Sequence, residues 1–470
     1  MNITQKDQME WRLSQAAEYI GARWSGKDIV FSPPIKIDSR EIRPGDIFWA
    51  LPGERTDGHA FIEEAIERGA DALVINPQLA GESLQRVFLE KIPALLTKDT
   101  LAALKSLSLR RLEMLDLEST IAITGTVGKT TTREMTRAVA ESLGGVHCAR
   151  RSFNTWIGCA LTVLEAPLDT RFLILEMGTN HPGEIREMAS MFRPSYGIIT
   201  EVGAGHLEGL KDESGVLEAK MELANCGSLK CLSYNSDNAL LSRAVDDLPE
   251  GITRIPVGRS SSLYRIEETR FEFDKDGPSL FLVLATPSGK RKLKPRLFGE
   301  QNAYAVAFAM AAGDFLGVPE MDQSAALESF KPLPGRGGVH VSGKGVYYID
   351  ETYNANPLSM RQALVTLSGI RTEGKKWAVL GAMGELGDDT IKWHREMFPY
   401  FDSFDGVFLF GGSWGRSMPP KVPENLRAFD DITKLSEILL LTLSPGDVVL
   451  FKGSRSFRME RAMKCLEDTG

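Results

Sequence analysis

Apolar positions along this chain follow two rhythms. From about residue 106, unbroken apolar runs, STIAIT (119–124), RFLILEMG (171–178) and YGIIT (196–200), alternate with amphipathic stretches such as PGEIREMASMF and SGVLEAKMELA. An unbroken run is what a strand covered on both faces needs, so the series predicts a parallel sheet with helices on either side. A second such series, GVYYIDE, KWAVLGAMG, GVFLFGG and GDVVLFKG, begins after PLPGRGG (332–338) and predicts another parallel sheet. Between them, 251–297 alternates with period two and is broken by Gly, Pro and Asp, which predicts hairpin strands appended antiparallel to the first sheet. Ahead of all this, 37–75 sets Pro- and Gly-punctuated strands before a helix with apolar residues at Phe61, Ala65, Ile66 and Ala70. Three domains follow, over 1–105, 106–331 and 332–470.

Composition narrows the function more than the fold. The 470 residues carry 55 basic and 63 acidic side chains, a formal charge of −8, which argues against a nucleic-acid partner. Five cysteines without a CxxC pair suit a reducing compartment better than a disulfide framework or a structural zinc. The first twenty residues are no signal peptide, and no apolar run of about 18 residues suggests a transmembrane span, so a cytoplasmic location is expected.

The chemistry is concentrated in AITGTVGKTTTREM (122–135), which lies between an apolar strand and a helix. In that setting the backbone N–H groups of Gly125, Thr126, Val127 and Gly128 and the helix start at Thr131 face an anion. Lys129 adds a charge for terminal phosphates and Thr130 a hydroxyl for Mg²⁺. The longer form of this motif has glycine where the chain has Ile123, so the match is to the shorter GTxGKT form. The fold class expected is therefore α/β, with a small N-terminal α/β domain, a central P-loop-type domain of mostly parallel sheet with helices on both faces, and a C-terminal Rossmann-like α/β domain.

GTVGKTTT resembles the phosphate loop of the Mur ligases, ATP-dependent enzymes that form amide bonds. FNTWIG (153–158), LEMGTNHPGEI (175–185), GHLEGL (205–210), EAKMEL (218–223), FGEQNAYAVAFAMA, PLPGR, DETYNANPLSM and FKGSRSFRME match the family in order along nearly the whole chain. MGTNHPGEI, DETYNANPLSM and AMGELG (382–387) resemble the branch that adds D-alanyl-D-alanine to UDP-N-acetylmuramoyl-tripeptide, and an Asp-Asn-Pro-Arg segment typical of the preceding step is missing. DSREIRPGDIFWALPGERTDGHAF resembles the UDP-sugar-binding domain of both branches.

The resemblance implies roles residue by residue. Lys129, Lys220 and His206 would act in catalysis, with ATP held by Gly125 to Thr131, Asn302, Arg336 and Asp350. Thr130, Glu176, His206 and a carbamylated Lys220 would support Mg²⁺, Glu176 standing at the carboxyl end of an apolar strand where ligands of open α/β sheets gather. Ser39, Arg40 and Gly53 would lie near the uridine diphosphate. Asn154, Thr155, Asn180 and His181 would face the muramoyl peptide or metal, and Tyr353, Asn354 and Asn356 the incoming dipeptide. The scheme implied is phosphorylation of a carboxylate to an acyl phosphate, then attack by the amine, in a monomer that closes around ATP. Three positions depart from the family: Val127 and Ala305 stand where Asn is common, and Gln301 where His is. A ligase of the same family for another amino acid, and a nucleotide-binding scaffold without turnover, fit the same residues.

Overall fold

The computed structural model describes residues 11–31, 34–53, 56–149, 153–203, 205, 207–274 and 276–467. Contacts divide the chain into two compact units, one of Met1–Ile121, Gly144–Met177 and Glu187–Arg193, the other of Ala122–Leu143, Gly178–Arg186 and Pro194–Gly470.

In the first unit, Ile35–Lys36, Ile47–Trp49, Ala72–Ile75 and Ala94–Leu96 lie side by side in parallel, and Arg23–Ser25 closes one edge antiparallel. Every residue of Ile47–Trp49 and Ala72–Ile75 is buried, because helices Ile62–Glu67 and Ser83–Leu89 bring Ile62, Ala65 and Val87 onto Phe48, Leu73 and Ile75. The first of these helices is shorter than its apolar spacing predicts. Phe61 belongs to the preceding 3-10 turn and is exposed, and Gly69 at φ +89° carries the chain away beyond the end. The same unit holds the parallel pair Val146–Cys148 and Phe172–Glu176 and the buried helix Trp156–Glu165.

The second unit contains two sheets. Tyr196–Ile199, Cys231–Asn235 and Thr253–Gly258 are parallel neighbours, and Tyr264–Asp274, Gly277–Thr286 and Gly289–Leu293 follow as antiparallel hairpins. The alternating region 251–297 thus divides: its first strand joins the parallel set, because helix Ala239–Asp246 supplies the crossover that a parallel neighbour requires, and the start of Tyr264–Asp274 pairs with it in parallel before the antiparallel hairpins begin. Strand Ser119–Thr124, buried at all six positions, leads into this unit and on to helix Lys129–Ala140. That helix packs on Asn302–Leu316, whose run of buried alanines from Ala303 to Ala312 lets the two axes approach closely.

In the other sheet the order is Gly338–Val341, Tyr347–Glu351, Val448–Lys452, Lys376–Gly381, Gly406–Phe410, Leu426–Phe429, parallel except for the first strand. The last strand in the chain, Val448–Lys452, therefore lies between the first two parallel ones. Apolar clusters around Ile349, Leu364 and Trp414 on one face and Val449, Leu435 and Met459 on the other bury both sides. Among the described residues no helix is long and apolar enough to cross a membrane.

Candidate functional site

The turn between strand Ser119–Thr124 and helix Lys129–Ala140 is shaped by two glycines with positive φ, Gly125 at +144° and Gly128 at +83°. A Cβ on Gly125 would fall 2.0 Å from Thr200 Oγ1 and 3.0 Å from the Glu201 nitrogen, so only glycine lets the loop lie this close to the neighbouring strand. Thr200 clamps the turn, its hydroxyl donating to the Val127 carbonyl at 2.6 Å. Thr126 is buried, with its N–H on the Glu201 carbonyl and its hydroxyl on the Gly203 carbonyl, so its side chain shapes the loop rather than facing out of it. Val127, Gly128 and Lys129 remain at least partly open to solvent, while Thr130 and Thr131 are buried. The Lys129 ammonium donates to the Gly125 carbonyl at 2.7 Å and lies across the loop mouth. A helix N-terminus, a glycine turn and a cation together make an anion cradle.

Arg336 brings the 332–338 segment to this loop. Its Nη2 donates to Thr130 Oγ1 at 3.2 Å, and its guanidinium lies 3.7 Å from the centre of the Tyr353 ring. Tyr353 thus supports the arginine from behind. Asn302 is buried and donates its amide to the Phe298 carbonyl at 2.5 Å, at the start of the alanine-rich helix.

Lys220 decides the reading of helix Glu213–Met221. A lysine on a helix usually extends into water, yet this one is 1% exposed and its Nζ has no hydrogen-bond partner among the described residues. Burial, aided by the nearby Lys129 cation, lowers its pKa to about 7, while Glu184 and Glu222 pull the other way. The amine is therefore available unprotonated near neutrality. Glu222, two residues on, accepts the Gly183 and Arg186 N–H groups at 2.6 and 3.0 Å and so holds the start of the 184–192 helix. Glu184 in turn accepts the N–H groups of Asn180 and His181, leaving both side chains exposed. His206 lies outside the described residues.

In the first unit Glu176 is 1% exposed at the end of its strand, and Asn154 donates to its Oε1 at 3.4 Å. Thr155 caps helix Trp156–Glu165, its hydroxyl accepting the Gly158 N–H. Ser39 is buried with its hydroxyl on Glu64 at 2.7 Å, whereas Arg40 is exposed and paired twice with Asp38, at 2.8 and 2.6 Å. Gly53 is exposed.

The loop after strand Tyr347–Glu351 binds largely to itself. Asp350, expected to reach the nucleotide, is 4% exposed and accepts from the Gly335 N–H at 2.6 Å and the Thr352 hydroxyl at 2.6 Å. Asn354 accepts the N–H of Ala355, and Asn356 forms a reciprocal capping box with Ser359 at the start of helix Pro357–Gly369. Lys452, 2% exposed on its side chain, ties the loop down through Glu351 Oε2 at 2.9 Å and the Asn354 carbonyl at 3.1 Å.

A cavity of about 450 Å³ opens beside the phosphate loop, lined by Val127, Gly128, Asn302, Glu201 and Arg361 among others. Glu201 and Arg361 were not singled out from sequence. Glu201 lies two residues beyond a strand end, a position that could have drawn attention, and burial raises its pKa despite hydrogen bonds from Asn238, Val202 and Asn235. For Arg361 no local signal exists, because only the fold brings 361 beside 127.

Three family models match the chain: the Mur ligase family catalytic domain over 34–107, the Mur ligase middle domain over 123–313 and the Mur ligase glutamate ligase domain over 335–455. The UDP-N-acetylmuramoyl-tripeptide–D-alanyl-D-alanine ligase of Bacillus subtilis is 30% identical over 92% of each chain, and that of Synechocystis 33% identical over 89% of this chain and 88% of the relative. Among solved structures, MurF of Acinetobacter baumannii superposes with a TM-score of 0.81 at 25% identity, covering 98% of this chain and 99% of that one. MurF ligase of Thermotoga maritima in complex with ADP gives 0.77 at 26%, covering 93% and 97%.

Proposed function

The chain belongs to the Mur ligase family, and from that premise we propose that it joins D-alanyl-D-alanine to UDP-N-acetylmuramoyl-tripeptide at the expense of ATP in peptidoglycan precursor synthesis. The observation that carries this reading is the pairing, in one unit, of an anion cradle with a buried lysine that has no hydrogen-bond partner among the described residues, in a chain alignable over 92% of its length with a ligase of that name. The cradle takes the nucleotide's phosphates, and Lys129 neutralises charge as the terminal phosphoryl group moves to the peptide carboxylate. The bond from the γ-phosphorus to the bridging oxygen breaks, ADP leaves, and an acyl phosphate forms. The dipeptide amine then attacks the acyl carbon, loses a proton and expels inorganic phosphate. Arg336, steadied by Tyr353, is placed to grip phosphate oxygens.

The buried hydroxyl of Thr130 suits Mg²⁺, with Glu176 and His206 the further ligands that the family resemblance implies, and bound Mg²⁺ would supply charge neutralisation for the phosphates. Lys220 fits carbamylation. Its amine is dry and tends to be neutral near pH 7, so it can attack CO₂ and lose a proton, turning a buried neutral amine into an anion able to support a metal. Ser39, Arg40 and Gly53 belong to the uridine diphosphate end, Asn154, Thr155, Asn180 and His181 to the muramoyl peptide, and Tyr353, Asn354 and Asn356 to the dipeptide. The work divides over 1–105, 106–331 and 332–470, in a cytoplasmic monomer.

The test incubates the chain with ATP, Mg²⁺, UDP-N-acetylmuramoyl-tripeptide carrying either diaminopimelate or lysine, and either D-alanyl-D-alanine or single amino acids. Product mass and phosphate release are the readouts. Product with the dipeptide alone is expected; product with a single amino acid instead, or none with any pair, would sink the proposal.

A further inference from the structure

Two charged side chains lie beneath the loop that carries Tyr353. Lys452 ends strand Val448–Lys452 and Glu351 ends strand Tyr347–Glu351, directly opposite each other in the parallel register. Their side chains are 2% and 14% exposed, and Lys452 Nζ meets Glu351 Oε2 at 2.9 Å. The same ammonium donates to the Asn354 carbonyl at 3.1 Å, although Asn354 itself is an exposed residue. Removing two charges from water is unfavourable, and an apolar pair of the same volume often serves stability as well. What an apolar pair cannot do is grip a backbone carbonyl. The contact to Asn354 is therefore the feature that sets this pair apart from ordinary core packing.

That carbonyl lies one residue beyond Tyr353, whose ring supports the Arg336 guanidinium at 3.7 Å. The two glycines flanking Arg336 are fitted to the same stretch. Gly335 has φ +80°, and a Cβ there would fall 2.8 Å from both the Cβ and the nitrogen of Tyr353; Gly337 has φ +85°, and its Cβ would fall 3.2 Å from Glu351 Oε1. Backbone bonds join the two segments on either side of Arg336. The Gly337 N–H donates to the Asp350 carbonyl at 2.8 Å, and the Tyr353 N–H to the Gly335 carbonyl at 3.3 Å. Arg336 thus leaves a segment clasped to 350–353 at both ends, and its Nη2 reaches Thr130 Oγ1 at 3.2 Å. A displacement of Tyr353 and Asn354 passes directly to the guanidinium.

We infer that Lys452 and Glu351 are positioning residues for phosphoryl transfer: by holding the Asn354 carbonyl they keep Tyr353 in place, and through it they aim Arg336 at phosphate oxygens. An arginine that grips two such oxygens must be correct in direction as well as in distance, so a small shift of its support lowers turnover. The inference rests on the ATP-dependent reading above and adds to it a pair that acts through Arg336.

The experiment measures kcat, the KM for ATP and the melting midpoint of the full chain carrying Lys452→Met or Lys452→Met with Glu351→Met, each also in an Arg336→Ala background. Lys452→Met alone strands the Glu351 carboxylate and is expected to lower the midpoint, and the double variant, which removes both charges, should regain much of the loss. In the double variant kcat is expected to fall about tenfold. In the Arg336→Ala background the same two changes should lower kcat by less than about twofold, because the group they aim is already gone. An equal fold loss in both backgrounds, or an unchanged kcat in the folded double variant, would overturn the inference and leave the ligase reading intact. A crystal structure of the double variant gives a readout that needs no turnover: Arg336 is expected to leave the Tyr353 ring, and an unmoved guanidinium would equally overturn the inference. Wild type that makes no product would bring down the ligase reading, and that crystal structure then decides whether the pair places Arg336.

Discussion

The phosphate loop at 125–131 and the loop at 350–357 both follow a parallel strand and precede a helix, yet they treat their polar groups in opposite ways. The first is shaped by glycines whose missing side chains allow close approach, and it keeps Gly128 and Lys129 accessible. The second turns its carboxylate and amides inward: Asp350 onto Gly335 and Thr352, Asn354 onto Ala355, Asn356 onto Ser359. The 382–387 loop of the same sheet resembles the second kind, since His394 Nε2 accepts the Met383 N–H at 3.0 Å. A loop left open by glycine is specialised for a ligand, whereas a loop bound to itself is specialised to stand still. Substitutions should therefore separate into losses of turnover in the first and losses of stability in the second.

The largest effect is expected from Lys129→Ala: turnover falls on the order of 10³-fold, because the charge opposite the moving phosphoryl group is gone, while the thermal midpoint is nearly unchanged. Steady-state kinetics beside a melting curve check both halves, and full turnover in this variant would remove Lys129 from the chemistry. Next comes Asp350→Ala, which strips the acceptor from the buried Gly335 N–H and Thr352 hydroxyl and should destabilise by about 2–3 kcal/mol. Denaturant titration measures it. A variant of unaltered stability but weakened ATP binding would break the contrast and return Asp350 to the nucleotide-binding role that the family resemblance implies.

Asn356→Ala should cost about 1 kcal/mol through loss of the cap, with Asn356→Asp retaining most of it. The smallest effect concerns pH. Burial lowers the pKa of His394, whose Nδ1 pairs with the Thr390 carbonyl at 2.7 Å while Nε2 accepts from Met383. The fold thus favours the neutral ring, so its contribution is complete above the unfolded value near 6.5 and is lost as pH falls below it. Melting curves between pH 8 and 5 should show a decline below 6.5 that His394→Gln lessens. An unchanged slope in that variant would assign the decline to other groups.

Local structure is legible where its cause is local. STIAIT followed by GTVGKT contains its own strand, turn and helix start, and the structure places a strand over 119–124, positive-φ glycines at 125 and 128, and a helix from Lys129. Helix Pro357–Gly369 likewise begins at the Asn-Pro step that its sequence advertises. The region 251–297 was only half legible, because period-two alternation describes a strand's two faces and says nothing about which neighbour it will join.

Lys220 shows the limit most clearly. Its helix could have turned that lysine to water, as most helices do, and the EAKMEL segment shows no burial by itself; only the packing of the helix made the amine dry and lowered its pKa. Arg361 and Gln301 meet around one cavity for a similar reason, being 60 residues apart in the chain. The sequence alone determined which residues could bend, cap and carry charge, since these depend on backbone freedom and side-chain chemistry within a few positions. Which of them lost water, and which faced a common space, was decided by tertiary structure, because desolvation and convergence are properties of what surrounds a residue.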